Sequence, residues 1–136
     1  MKKFLTLFLA ATFALSSCSS SDDDSTSSSN GTTINPPAWI QGTWLQQDIP
    51  IEIGFTFKSD DFCNVMSNIT SCNKEQLAIF NNPGLYANVS EETTSVYYSI
   101  EITIQTSTLL YQFEKISDTM IKGLNTPYTD IVYIKQ

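Results

Sequence analysis

Three cysteines, Cys18, Cys63 and Cys72, and two pairs of adjacent carboxylates, Asp60-Asp61 and Glu91-Glu92, are the residues whose type and spacing invite a chemical reading. Thiols can be acylated, paired or metal-bound, and neighbouring carboxylates can share a proton or hold a cation. Their surroundings narrow this. The 136 residues include no histidine, and all seven basic residues are lysines. There is therefore no imidazole to act as base or metal ligand, and no guanidinium to clamp a phosphate. Adjacent acids in turn-forming sequence are usually solvated rather than set across a substrate, and the many serines and threonines lack an activating base. No catalytic residue and no cofactor are expected, and the chain reads as not an enzyme. Two cysteines without a histidine or a second pair make an incomplete zinc site, and no loop repeats a calcium-ligand spacing, so no metal is expected. Acids outnumber lysines 14 to 7, which excludes nucleic acid as a partner, because no basic stripe exists to displace counterions from phosphates.

Lys2 and Lys3 precede an apolar run, Phe4 to Leu15, that is too short to cross a bilayer but has the length of a secretory signal core. It ends in Leu15-Ser16-Ser17-Cys18, which resembles the bacterial lipobox, where a branched apolar residue and two small residues direct lipidation of the cysteine that follows. The resemblance implies a lipoprotein signal peptide over residues 1–17 and a lipid-carrying mature N-terminus at Cys18. Several acyl chains, each methylene contributing roughly 0.8 kcal/mol, hold a protein on a membrane durably. The stretch from Ser19 to Thr33 contains no apolar side chain and cannot offset the entropy of ordering its backbone. Residues 18–33 are thus expected to form a disordered tether with a reach of some 20 Å. Its Asp22-Asp23-Asp24 cluster resembles the acidic export signal of surface lipoproteins in Bacteroidetes-type bacteria. The implied address is the outer membrane with exposure on the cell surface, the periplasmic face being the alternative.

Residues 34–136 hold both tryptophans and all six tyrosines, enough for one modest core. Period-two alternation dominates them. From Ile51 to Lys58 the odd positions are apolar, placing Ile51, Ile53, Phe55 and Phe57 on one face of a strand. From Val96 to Gln105 the same pattern sends Val96, Tyr98, Ile100, Ile102 and Ile104 inward. Further strands are predicted at Trp39–Gln47, near Phe62–Met66, at Tyr86–Val89, at Leu109–Lys115 with Leu109, Tyr111 and Phe113 inward, at Thr119–Leu124 and at Asp130–Lys135. Turn formers separate them, including Asp48-Ile49-Pro50, Asn82-Pro83-Gly84 and Glu91-Glu92-Thr93. About eight strands with short loops need on the order of 95 residues, which the chain has after Trp39. The expected fold is all-β, a small antiparallel up-and-down barrel with one short helix in an insertion.

That helix is predicted at Asn73–Phe80, with Asn73 as cap, Gln76 three positions later and Asn82-Pro83-Gly84 as a stop. Cys72 stands just before it and Cys63 in the preceding strand. An exported chain meets an oxidising compartment, so a Cys63–Cys72 disulfide is expected, contributing about 2.5 to 3 kcal/mol by closing a short loop.

Gly42-Thr43-Trp44 resembles the Gly-x-Trp signature at the start of lipocalins and related calycin barrels, and the segments Phe55–Phe62 and Tyr111–Asp118 resemble the aromatic-alternating strands of small lipocalin-like domains in exported bacterial lipoproteins. In that family the tryptophan packs across the closed end of the barrel. Two departures stand out. The chain is short and ends on a strand, and it has no arginine to pack on the tryptophan. The resemblance implies a barrel mouth that takes a small apolar or amphipathic molecule. The residues assigned to bind it are Trp44, Phe55, Phe57, Tyr98, Ile100, Ile102, Tyr111 and Phe113, each of which also suits a filled core. The expected partners are a membrane, through the lipid anchor, and this small ligand, with the protein acting as a monomer. The alternative function is a non-catalytic cell-surface or carbohydrate-binding β module that stacks sugars on outward aromatics such as Tyr97 and Trp39.

Overall fold

A computed structural model of the chain describes residues 26–125, 127 and 129–136. The signal segment, Cys18 and Asp22-Asp23-Asp24 lie outside the described residues. The fold is all-β and antiparallel, with one short helix. In chain order the elements are β1 (Ser27–Gly31), β2 (Gly42–Gln46), β3 (Ile53–Phe57), β4 (Phe62–Met66), β5 (Ile69–Cys72), α1 (Asn73–Phe80), β6 (Ala87–Thr93), β7 (Tyr97–Ile104), β8 (Ser107–Ser117), β9 (Met120–Gly123) and β10 (Val132–Lys135). These are ten strands where the alternation predicts about eight. They pair in one sheet in the order β1-β6-β7-β8-β9-β10-β2-β3-β4-β5.

The sheet is curled, and ring contacts fix the curl. β3 and β8 stand four strands apart, which in a flat sheet would separate them by roughly 19 Å. Yet the rings of Phe55 and Phe113 are 5.1 Å apart, and Phe62 of β4 meets Tyr111 of β8 at 4.8 Å. The concave face is therefore wrapped round on itself. It does not close into a full barrel, because the sheet ends at β1 on one side and β5 on the other. α1 stands in that gap, touching both β4 and β6. The result is a half-barrel plugged by a helix.

The two additional strands have separate causes. β1 is built from Ser27-Ser28-Ser29-Asn30-Gly31, inside the stretch expected to be tether, and pairs with β6 from Ser27 opposite Thr93 to Gly31 opposite Val89. Nothing apolar in it signals a strand; it forms because β6 offers an unpaired edge whose backbone groups need partners. For the same reason β6 runs through Glu91-Glu92-Thr93, where a turn is predicted. β5 pairs with β4 through a tight turn at Ser67, whose φ is +54°. Its register sets Cys63 opposite Cys72, and the two sulfurs are joined. The expected disulfide is thus a cross-strand bridge at the sheet edge.

Three local readings shift. Ile51 and Val96, expected inward, are half exposed in bends outside the strands proper. Trp39 precedes β2 in a turn rather than opening it. Asn73 is the first helical residue and not the cap: its side chain donates to the carbonyl of Phe62, while Asp61 of the β3–β4 turn accepts from the backbone N–H groups of Lys74 and Phe62. A carboxylate distant in sequence thereby serves the start of α1, where its charge also suits the helix dipole.

Two glycines are required by close approach. A Cβ on Gly54 would lie 1.9 Å from the carbonyl oxygen of Trp44 on the paired strand. Gly42 has φ +128°, and a Cβ there would meet Cε of Lys135 at 2.8 Å.

Candidate functional site

All eight residues assigned to the ligand site lie in one buried cluster on the concave face, so the structure brings them together. The cluster is densely packed. Phe55 alone meets Phe57, Phe62, Tyr111, Phe113 and Tyr133, with ring centroids between 5.1 and 6.3 Å apart, several of them edge-on. Such tilted and edge-on contacts are favoured by the ring quadrupole. Through this part of the half-barrel the side chains fill the interior. Phe62 and Tyr133 join the set; alternation leaves the face of the last strand ambiguous, and buried Tyr133 resolves it.

One end is sealed by the segment between β1 and β2. Ile34, Pro36 and Ile40 are buried there. Trp44 donates its indole N–H to the carbonyl of Ile40 at 2.6 Å, and the ammonium of Lys135 lies over the Trp44 ring, 5.1 Å from its centroid. A lysine from the last strand supplies the cation on the indole face, and Gly42 leaves the room its stem needs.

A carboxylate ties the seal to the sheet. Glu91 is buried and accepts from the Tyr98 hydroxyl at 2.5 Å, from the backbone N–H of Asn35 with both oxygens at 3.0 Å, and from Ser29 at 3.4 Å. Burial first, and then the charge and hydrogen bond of Glu91, push the Tyr98 phenol well above its usual range. It stays a neutral donor. These bonds also account for one of the paired acids. Glu91 points inward and Glu92 outward, as neighbours on a strand must, while Asp61 serves α1 and Asp60 pairs with Lys74. Neither pair presents two carboxylates to one cleft. Cys63, Cys72 and Asp61 lie close together, but both sulfurs are consumed by the disulfide.

The opposite end is open. Strand register places Met66 opposite Ile53 and Ile69 opposite Met66, and Ile53 shares the face of Phe55. Likewise Leu109 sits opposite buried Ile102. All four of these outer positions belong to the concave face, one or two steps beyond the contact of Phe62 with Tyr111. Three of them are nonetheless wet: Met66 is 63%, Ile69 70% and Leu109 54% exposed. Half-buried Ile53 and Ile104 lie on the same face, so beyond the aromatic cluster the concave surface carries apolar side chains that the strands leave partly uncovered. Alternation alone gives Leu109 the correct face but not its exposure, because distance along the barrel axis has no signature in period two.

No family model matches this chain, and neither a curated protein nor a solved structure does. Among the described residues no helix is long and apolar enough to cross a membrane.

Proposed function

We propose that the chain is a lipid-anchored, exported protein with a lipocalin-like domain, and that it binds a small apolar or amphipathic molecule in an apolar cup that Met66, Ile69 and Leu109 would rim at the open end of its half-barrel. The observation that carries this reading is the exposure of Met66, Ile69 and Leu109 on the concave face, where a sheet would otherwise bury them. Leaving three large apolar side chains in water on a preformed concave surface is unfavourable by roughly 25 cal/mol per Å² exposed, and a ligand seated there recovers it. The aromatic cluster fills the interior below, so the site is shallow and the ligand small. Two further features support the lipocalin-like reading: the Gly42-x-Trp44 pair at the sealed end, with Lys135 over the indole, and the pairing of the last strand β10 with β2. Cys18 would carry the acyl anchor at the outer membrane, on the cell surface or on the periplasmic face.

The test is a native mass spectrum of the protein from its own host, with Met66→Glu and Leu109→Glu variants beside it. A co-purified apolar molecule lost in both variants is the expected result. A clean apo mass, with retention on a glycan array, would instead favour a surface carbohydrate-binding module that uses outward aromatics such as Tyr97 and Trp39, both partly exposed. The anchor is tested separately: Cys18→Ala should release the protein from the membrane fraction, and continued sedimentation with membranes would count against it.

A further inference from the structure

A second concavity, sharing no residue with the cup, runs between segment 32–35 and one face of α1, with a volume of about 380 Å³. The helix contributes Lys74, Leu77 and Ala78, and the residue that caps its C-terminus, Asn81, completes the row. Their spacing of three, four and seven residues puts them on one stripe, roughly 10 Å from end to end. Ile34 from the facing segment and Leu77 are buried, so the floor is apolar and backed by the core. The ends differ in chemistry. At one, Lys74 makes an ion pair with Asp60 of the β3–β4 turn, and both side chains remain exposed. At the other, the Asn81 amide donates to the Thr32 hydroxyl at 3.5 Å.

We propose that this groove binds an α-amino acid zwitterion with a large apolar side chain: the ammonium on Asp60, the carboxylate on Lys74, and the side chain laid along Ile34, Leu77 and Ala78. Charge complementarity selects that class. A simple anion at Lys74 must compete with Asp60, and a simple cation at Asp60 must compete with Lys74. A zwitterion exchanges one ion pair for two and leaves no charge unmatched. The Asp60 carboxyl is held below its usual range by the Lys74 hydrogen bond and charge, and the Lys74 ammonium above its own by Asp60, so both groups are charged at neutral pH. The volume and the mixture of apolar floor with a few polar groups at the ends suit a small molecule.

The experiment is a titration of the purified protein with L-phenylalanine, followed by amide chemical shifts. Saturable shifts at Thr33, Leu77 and Asn81, with Met66 and Leu109 unmoved, are expected. Phenethylamine, which lacks the carboxylate, and hydrocinnamate, which lacks the ammonium, should each bind at least about tenfold more weakly. Lys74→Gln and Asp60→Asn, both at exposed positions, should each weaken phenylalanine by a similar factor, and Ala78→Trp should fill the groove and abolish the shifts. The proposal is overturned if no saturable shift appears up to about 20 mM, if hydrocinnamate binds as well as phenylalanine, or if the shifts fall at Met66 and Leu109. The last outcome would assign the ligand to the cup and leave that reading standing.

Discussion

Glu91→Ala should be among the most damaging single substitutions in this domain, although the residue belongs to no apolar cluster. Glu91 accepts from three donors, and two of them have no alternative acceptor of comparable geometry: the hydroxyl of fully buried Tyr98 and the backbone N–H of Asn35. A buried donor left unsatisfied costs about 1 to 3 kcal/mol. With Tyr98 bearing the full penalty and surface Asn35 a part of it, the loss comes to about 2 to 4 kcal/mol. For a domain of this size that lowers the melting temperature by about 10 to 25 °C. The decisive measurement is a double-mutant cycle by urea denaturation. Tyr98→Phe alone should destabilise by about 1.5 to 3 kcal/mol, the range for a hydrogen bond to a charged group. In the Glu91→Ala background the same change should be neutral or stabilising, because it removes an orphaned hydroxyl. If the two substitutions add within about 0.5 kcal/mol, the buried hydrogen bond does not hold the seal in place and the reasoning fails.

Other expectations follow from the same structure. Because the Tyr98 phenol is raised in the fold, its contribution to stability is complete below the unfolded value of about 10 and is lost as pH climbs beyond it. Urea midpoints measured from pH 8 to 11 should fall more gently in Tyr98→Phe than in the parent, and parallel curves would contradict this. Gly54→Ala drives a methyl into the backbone of the paired strand, so β2 and β3 should separate; expression and melting curves would register a loss above about 3 kcal/mol or failure to fold, whereas a melting point near that of the parent would not be compatible with the packing. Reduction, or Cys63→Ala with Cys72→Ala, should cost about 2.5 kcal/mol and speed amide exchange first in β5 and α1, the elements the bridge ties to β4. Finally, β1 carries no apolar side chain. Its amides should exchange faster than those of β7, and equal protection in the two strands would show that the edge is held by more than backbone pairing and Glu91.

Much of this architecture was legible in the alternation itself. Tyr98, Ile100 and Ile102, and Phe55 with Phe57, take the buried face that period two assigns them, since on a strand successive side chains must point to opposite sides and only one side is dry. The disulfide was readable from two cysteines, one in a predicted strand and one just before a predicted helix, together with the expectation of an oxidising compartment. Other features have no local signature. The Ser-rich β1 is a strand only because β6 has a free edge. Lys135 covers Trp44, which lies ninety-one positions earlier, because β10 pairs with β2. Asp61 caps a helix that begins twelve residues on, across a strand pair.

The amino-acid order determined which side chains share the inward face of each strand, that the sheet is antiparallel and where one helix interrupts it, because these follow from short-range periodicity and turn chemistry. Tertiary structure decided how far the sheet curls, which end is sealed and which apolar residues stay wet. Those outcomes depend on strands distant in sequence meeting face to face, and whether an inward residue is buried depends on its height along the half-barrel axis. A two-residue repeat carries no record of that height.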